Sequence, residues 1–278
     1  MNHPESPLMP VTDKVKPINA NHSIKEAVIS LFLASPIIKA DRFKELIEKE
    51  FKNKFQLFEP LMQLQFQFKN PMVFPFKIDS SEIQNNIGFK FTEFENGSPA
   101  KVLQGQNDSL NNRTFISYHS LNYTRWNPFY SDYVDVIKKI AKHNQDIFIT
   151  AISLHYIDQF FWIENSAIDL NLIFDKNANS IPKDFFGSKL NNYSIITEKE
   201  ISTGTSYLDR LEIIVDNIIK PSITISHNVT QPFVDLLGLD NLIGSNQFEL
   251  ILNSAHLHNK SFLKDLLNKE IQEMINLQ

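Results

Sequence analysis

An α+β fold of two similar halves, each an antiparallel sheet with helices packed on one face, is what this chain predicts. Three observations carry that reading. Met62-Gln63-Leu64-Gln65-Phe66-Gln67-Phe68-Lys69 alternates between apolar and polar residues, the pattern of a strand wet on one face, and such a strand belongs to an antiparallel sheet. Apolar residues at helical spacing recur in three separate stretches. The order strand, helical region, several strands, helix then runs twice along the chain, which implies an internal duplication with a saddle-like shape.

The elements follow in order. Residues 1–22 hold four prolines and no periodicity, so they read as a disordered N-terminal arm. The first half covers 23–145. It opens with the apolar run Glu26-Ala27-Val28-Ile29-Ser30-Leu31-Phe32-Leu33, a buried strand ended by Pro36. Phe43, Leu46, Ile47 and Phe51 then mark an amphipathic helix with Asp41 in its first turn. After the alternating strand at 62–69, further strands are expected at 87–95, 99–105 and 114–121, separated by turn signals at Asn96-Gly97 and Asn107-Asp108. A second helix should be capped by Asn127, with Pro128 at its first position and Tyr130, Tyr133, Val134, Ile137, Ile140 and Ala141 as its buried stripe.

The second half, 146–278, begins with a long β-prone run, Ile147 to Ile157. A partly helical stretch at 165–187 follows, then strands near 193–200, 207–219, 222–230 and 248–252. A final helix carries Leu263, Leu266, Leu267, Ile271, Met274 and Ile275.

Composition narrows the chemistry. With 27 basic and 32 acidic residues the net charge is -5, which argues against nucleic acid, since neutralising phosphates dominates that binding. Only Arg42, Arg113, Arg125 and Arg210 offer a guanidinium fork. There are no cysteines, so disulfides, thiolate metal sites and cysteine nucleophiles are excluded, and a cytoplasmic location is expected. Seven glycines in 278 residues is about 2.5%, against roughly 7% in an average protein. Phosphate cradles need glycine backbone, and neither G-x-G-x-x-G nor G-x-x-x-x-G-K-[ST] occurs. No stretch approaches the ~20 apolar residues of a membrane span.

Catalytic patterns are equally sparse. His256-Leu257-His258 would place two imidazoles on one face if extended, but no further ligand lies nearby in sequence, so no metal and no cofactor is assigned. Asp158, Glu164 and Asp169, and the pair Glu198 and Glu200, read as solvated carboxylates. G-x-S-x-G is missing, and no catalytic residue is assigned. Aromatic residues are the richer signal: Tyr118, Tyr123, Trp126, Phe129, Tyr130 and Tyr133 crowd the junction before the second helix.

Three blocks together resemble a known family. They are Glu26-Ala27-Val28, then Tyr123-Thr124-Arg125-Trp126-Asn127-Pro128-Phe129, and Leu154-His155-Tyr156-Ile157-Asp158. They are similar to the bacterial and archaeal family catalogued as "sporadically distributed protein", over about residues 24–278. That family's central strand carries arginine and asparagine where His155 and Asp158 stand here, and its prolines before the opening strand are missing near Ile24. The resemblance brings no assigned reaction. A patchy distribution implies mobile accessory genes, hence phage defence or toxin–antitoxin roles. The doubled strand–helix–strands–helix order is also similar, in topology alone, to the TATA-binding protein saddle, whose DNA-kinking surface needs the basic residues absent here.

The sequence therefore points first to a non-catalytic protein-binding or accessory protein, its partner encoded by a neighbouring gene. Tyr123, Arg125, Trp126, Phe129, His155, Tyr156 and Asp158 are the candidate binding residues. The alternative is a small-ligand sensor or enzyme with a pocket between the halves, built from Tyr123, Arg125, His155 and Asp158.

Overall fold

The computed structural model describes residues 13–37, 45, 48–65, 83–108, 113–143, 147–187, 192–200, 206–217 and 220–277. The strands are β1 (Val15–Pro17), β2 (Ile24–Leu33), β3 (Leu57–Gln65), β4 (Ile83–Glu95), β5 (Ser98–Asp108), β6 (Arg113–Ser120), β7 (Phe148–Trp162), β8 (Asn192–Glu200), β9 (Ser206–Asp216) and β10 (Ser222–Gly238). The helices are α1 (Trp126–His143), α2 (Leu239–Gly244), α3 (Gln247–Leu266) and α4 (Lys269–Met274), with 3-10 turns at Leu170–Leu172 and Lys183–Gly187. The fold is mixed α+β and mostly antiparallel sheet, as expected.

All ten strands join one sheet in the order β3-β4-β5-β6-β2-β7-β10-β9-β8, with β1 also on β7. At its centre β2 and β7 pair antiparallel, Val28 opposite His155. The fifteen-residue β7 is the spine, since β1, β2 and β10 all pair with it. Its alternation sets the two faces of the sheet. Ile152, Leu154, Tyr156, Asp158, Phe160 and Trp162 are buried, whereas His155, Ile157, Gln159 and Phe161 are only partly covered on the other side.

Both apolar cores lie on the first face. One packs α1, α2 and the start of α3 against Ile29, Leu31, Phe89, Leu103, Ile116, Ile152, Leu154 and Tyr156. The other packs the end of α3, α4 and the 3-10 turns against Phe160, Trp162, Leu211, Ile213, Ile223 and Ile225. Register then carries the opposite face outward from β7: Asn228 stands opposite His155, Arg210 opposite Asn228, and Ile196 opposite Arg210. No described helix packs on that face; its centre is nonetheless buried at Val28, Val102, Ser117 and Ser153, and it is open chiefly on the β8–β9 side.

Local chemistry explains the joints. Asn96 and Gly97 both take positive φ, 51° and 79°, as the tight β4–β5 hairpin requires. A Cβ on Gly105 would sit 2.4 Å from the ring of the fully buried Phe89, so glycine there leaves the ring its place. In α1 the buried stripe of Phe129, Tyr133, Val136, Ile137, Ile140 and Ala141 follows the helical period.

Several expectations need correcting. The arm expected over 1–22 is not all arm: Val15–Pro17 form β1, which continues the line of β2 along β7, while residues 1–12 lie outside the described residues. Most of the helix expected at 43–51 also lies outside them, although residues 48–51 are helical. The alternating strand is β3 at 57–65, and residues 66–69 fall outside. Asn127 is not the cap of α1, because the Phe129 N–H donates to the Arg125 carbonyl (3.4 Å) and the helix begins at Trp126. The strand expected at 248–252 is the first turn and a half of α3. Phe248, Ile251, Leu252, Ala255, Asn259, Leu263 and Leu266 are its buried residues, a period of three to four that outweighs the β-prone look of Phe248-Glu249-Leu250-Ile251-Leu252. The final helix is two, broken where Leu267 and Asn268 turn extended.

Candidate functional site

The structure divides the seven candidate binding residues between two faces and the surface. Tyr123, Phe129 and Tyr156 are buried on the helix-bearing face, with Trp126 half-buried beside them. The Tyr123 ring meets Phe129 and Tyr156 edge-on, at 5.8 and 5.7 Å between centroids. Trp126 stacks flat on His256 of α3 at 4.6 Å and donates its indole N–H to Asn253 Oδ1 at 2.7 Å. Tyr156 Oη lies 3.0 Å from His256 Nδ1 and is hydrogen-bonded to Tyr123 as well. This junction joins α1, α3 and β7. Burial pushes Tyr123 up to about 12 and His256 down to about 4, so the whole chain of polar atoms is neutral near pH 7.

Asp158 adjoins this junction on β7. It is 1% exposed; its Oδ1 accepts from Ser23 Oγ at 2.6 Å, and its Oδ2 has no partner among the described residues. Burial raises its pKa to about 6 against the pull of the Ser23 hydrogen bond. Arg125 is exposed. His155 lies on the open face, where its Nε2 is 2.7 Å from Ser226 Oγ and burial lowers its pKa to about 4. Next to it Glu26 Oε1 lies 2.6 Å from His119 Nδ1, and His119 Nε2 lies 2.8 Å from Ser117 Oγ. The His119 hydrogen bond holds the Glu26 carboxyl below its ordinary range, outweighing burial. Tyr123, Arg125, His155 and Asp158 therefore do not converge on one space.

A second constellation escaped the sequence. Asp209 of β9, His227 of β10 and His258 of α3 bring their ligating atoms within 4.8 Å of one another. His227 Nε2 is 2.5 Å from Asp209 Oδ1, and His258 Nε2 is 3.0 Å from Asp209 Oδ2. Lys199 of β8 also donates to Asp209 Oδ2. On the far side of His227, Asn259 Nδ2 donates to Nδ1 at 2.8 Å, so Nε2 carries the proton that Asp209 accepts. Phe262 stacks on the same imidazole at 4.1 Å between centroids. Burial alone would raise Asp209, but its hydrogen bonds from His227, His258 and Lys199 hold it far below the usual carboxylate range. Burial keeps His227 below its ordinary value, against the pull of Asp209. A cavity of about 160 Å³ lies beside this group, lined by His258, Tyr207, Gln231, Ile251 and Ser254.

No local motif announces these residues. Asp209 and His227 meet because β9 and β10 pair in one register, and His258 reaches them only because its segment is helical. The helix also sends His256 and His258 to different neighbours, Trp126 and Asp209.

The open face carries the third feature. Ile196, Leu208 and Ile214 stand on it 61%, 40% and 41% exposed, and Leu57 stands 41% exposed at its far side. A groove of about 440 Å³ crosses the face from Phe32 and Arg113 to Asn228, Arg210, Leu208 and Ile196. Among the described residues no helix is long and apolar enough to cross a membrane. Compared with known proteins, the chain matches no family and no curated sequence.

Proposed function

We propose that this chain is a non-catalytic protein-binding or accessory protein, antitoxin-like or associated with phage defence, whose open sheet face takes a protein partner encoded by a neighbouring gene. The observation that carries this reading is the asymmetry of the sheet. Every described helix packs on one face, while the other leaves Ile196, Leu208 and Ile214 in water beside a groove. Ile196 and Leu208 both line that groove, and exposed apolar side chains at a groove are characteristic of an interaction site. Glu26, Glu59, Glu198 and Glu212 share that face with Lys90, Arg113 and Arg210, so it is of mixed charge rather than the basic surface a polyanion needs. Membership of the family of sporadically distributed proteins, and a cytoplasmic location, belong to the same proposal.

The aromatic junction has a different role in this reading. Its rings are consumed in joining α1, α3 and β7, so of the seven candidate residues this reading keeps His155, on the sheet face away from the helices, as the one to meet a partner. We also read the chain as two halves meeting at β2 and β7. Four strands continuing beyond β2 and three beyond β7, with helices on the same face of both, support that reading.

The test is co-expression with the product of the neighbouring gene, followed by size-exclusion chromatography. Ile196→Glu combined with Leu208→Glu should abolish co-elution while leaving the far-UV circular dichroism unchanged. Co-elution that survives both substitutions, or a well-folded wild type that never co-elutes, overturns the proposal.

A further inference from the structure

We propose that Asp209, His227 and His258 form a binding site for one divalent metal ion of the zinc class, pinning α3 to β9 and β10. Two imidazoles and one carboxylate from three elements present their ligating atoms within 4.8 Å of one another. This donor set, nitrogen with a single carboxylate oxygen, suits zinc and its neighbours rather than calcium or magnesium. Three protein ligands leave a fourth position for water, and His258 also lines the adjacent cavity, which gives the ion a way in.

The surroundings are those a metal-binding histidine requires. A ligating imidazole is oriented through its other nitrogen, and here Asn259, 4% exposed, sits at His227 Nδ1 while Phe262 stacks on the ring. Without metal, both Nε2 atoms point at the same carboxylate, each 3.0 Å or less from one of its oxygens. Metal entry needs both Nε2 lone pairs, so in each neutral ring the Nε2 proton moves to Nδ1, two changes of tautomer with no net proton release. Asn259 then turns its amide so that Oδ1 accepts the His227 Nδ1 proton. Lys199 must leave Asp209; its side chain is 40% exposed, so it has solvent to swing into.

The experiment uses the full chain stripped of metal by chelator. Zn2+ is titrated by calorimetry, and Co2+ by visible absorption, where four-coordinate cobalt gives an intense signature. One equivalent should bind, raising the melting temperature. His258 is partly exposed, so His258→Ala should fold normally, and it should weaken Zn2+ by at least about 100-fold, the upper end of an outer-shell loss. Asn259→Ala should weaken it by roughly 10- to 100-fold. Lys199→Ala should tighten it, and His256→Ala should leave it unchanged. Failure of the folded wild type to bind either ion overturns the proposal, as does binding that His258→Ala leaves intact.

Discussion

Replacing Asp158 with asparagine separates the cost of a buried charge from every other effect of pH on this protein. The carboxyl is 1% exposed, has one hydrogen bond, from Ser23 Oγ, and has an Oδ2 without a partner among the described residues. Burial raises its pKa from 3.8 to about 6. A raised carboxyl pKa means that the folded state holds its proton more tightly than the unfolded chain. Folding is therefore unpenalised by this group at pH values below about 4, loses stability as pH rises from 4 to 6, and carries the full cost above 6. At ~1.4 kcal/mol per pKa unit, that cost is about 3 kcal/mol at pH 8 and about 1 kcal/mol at pH 4.5. Asparagine cannot ionise. Its new N–H2 group has no evident acceptor and costs about 1–3 kcal/mol, but that cost is the same at every pH. The difference in stability between Asp158→Asn and the wild type should thus shift in the variant's favour by about 2 kcal/mol between pH 4.5 and pH 8. Urea unfolding followed by tryptophan fluorescence at both pH values measures it. A difference that stays flat across that range would refute the reasoning.

Three further substitutions probe the packing. Tyr133 is fully buried and its hydroxyl has no partner among the described residues, so Tyr133→Phe should raise stability by about 1 kcal/mol, read from the urea midpoint. Gly105→Ala places a methyl 2.4 Å from the Phe89 ring and should cost about 1–3 kcal/mol, with the loss confirmed by a lower thermal midpoint. Trp126→Ala removes the stack on His256 and the hydrogen bond to Asn253; because the ring is only half-buried it should cost about 2–3 kcal/mol by the same measurement, less than a fully buried ring.

Much of the fold is legible in the sequence because strands advertise themselves by alternation. The Asn96-Gly97 turn places the β4–β5 hairpin, and the run from Ile147 to Ile157 finds most of β7. The helical stripe of α1 reads at Tyr133, Ile137, Ile140 and Ala141, whereas the expected Tyr130 and Val134 are only partly covered and Phe129 and Val136 are buried instead. Two kinds of information are missing. β1 is three residues long and owes its conformation to Trp162, Phe161 and Phe160 across the ladder, not to its own Val-Lys-Pro. The opening of α3 is apolar enough to pass for a strand, and only Ala255 and Asn259 further on fix its period. That misreading hid the histidine cluster, since an extended His256-Leu257-His258 would point both rings the same way. Asp209 and His227 are 18 residues apart, and only strand pairing brings them together. The aromatic junction was visible as a crowd of rings, but whether the rings face solvent or core depends on α3, which packs over Trp126 and Tyr156.

The most direct test of the binding face is site-specific photo-crosslinking in cells that carry the neighbouring gene. A photoreactive residue replaces Ile196 or Leu208 on the open face, and Leu257 of α3 serves as the control. The account predicts one discrete adduct from positions 196 and 208 that is destroyed by protease and untouched by nuclease, with none from position 257. Adducts formed equally from Leu257, or an adduct from the open face that nuclease removes, would contradict it.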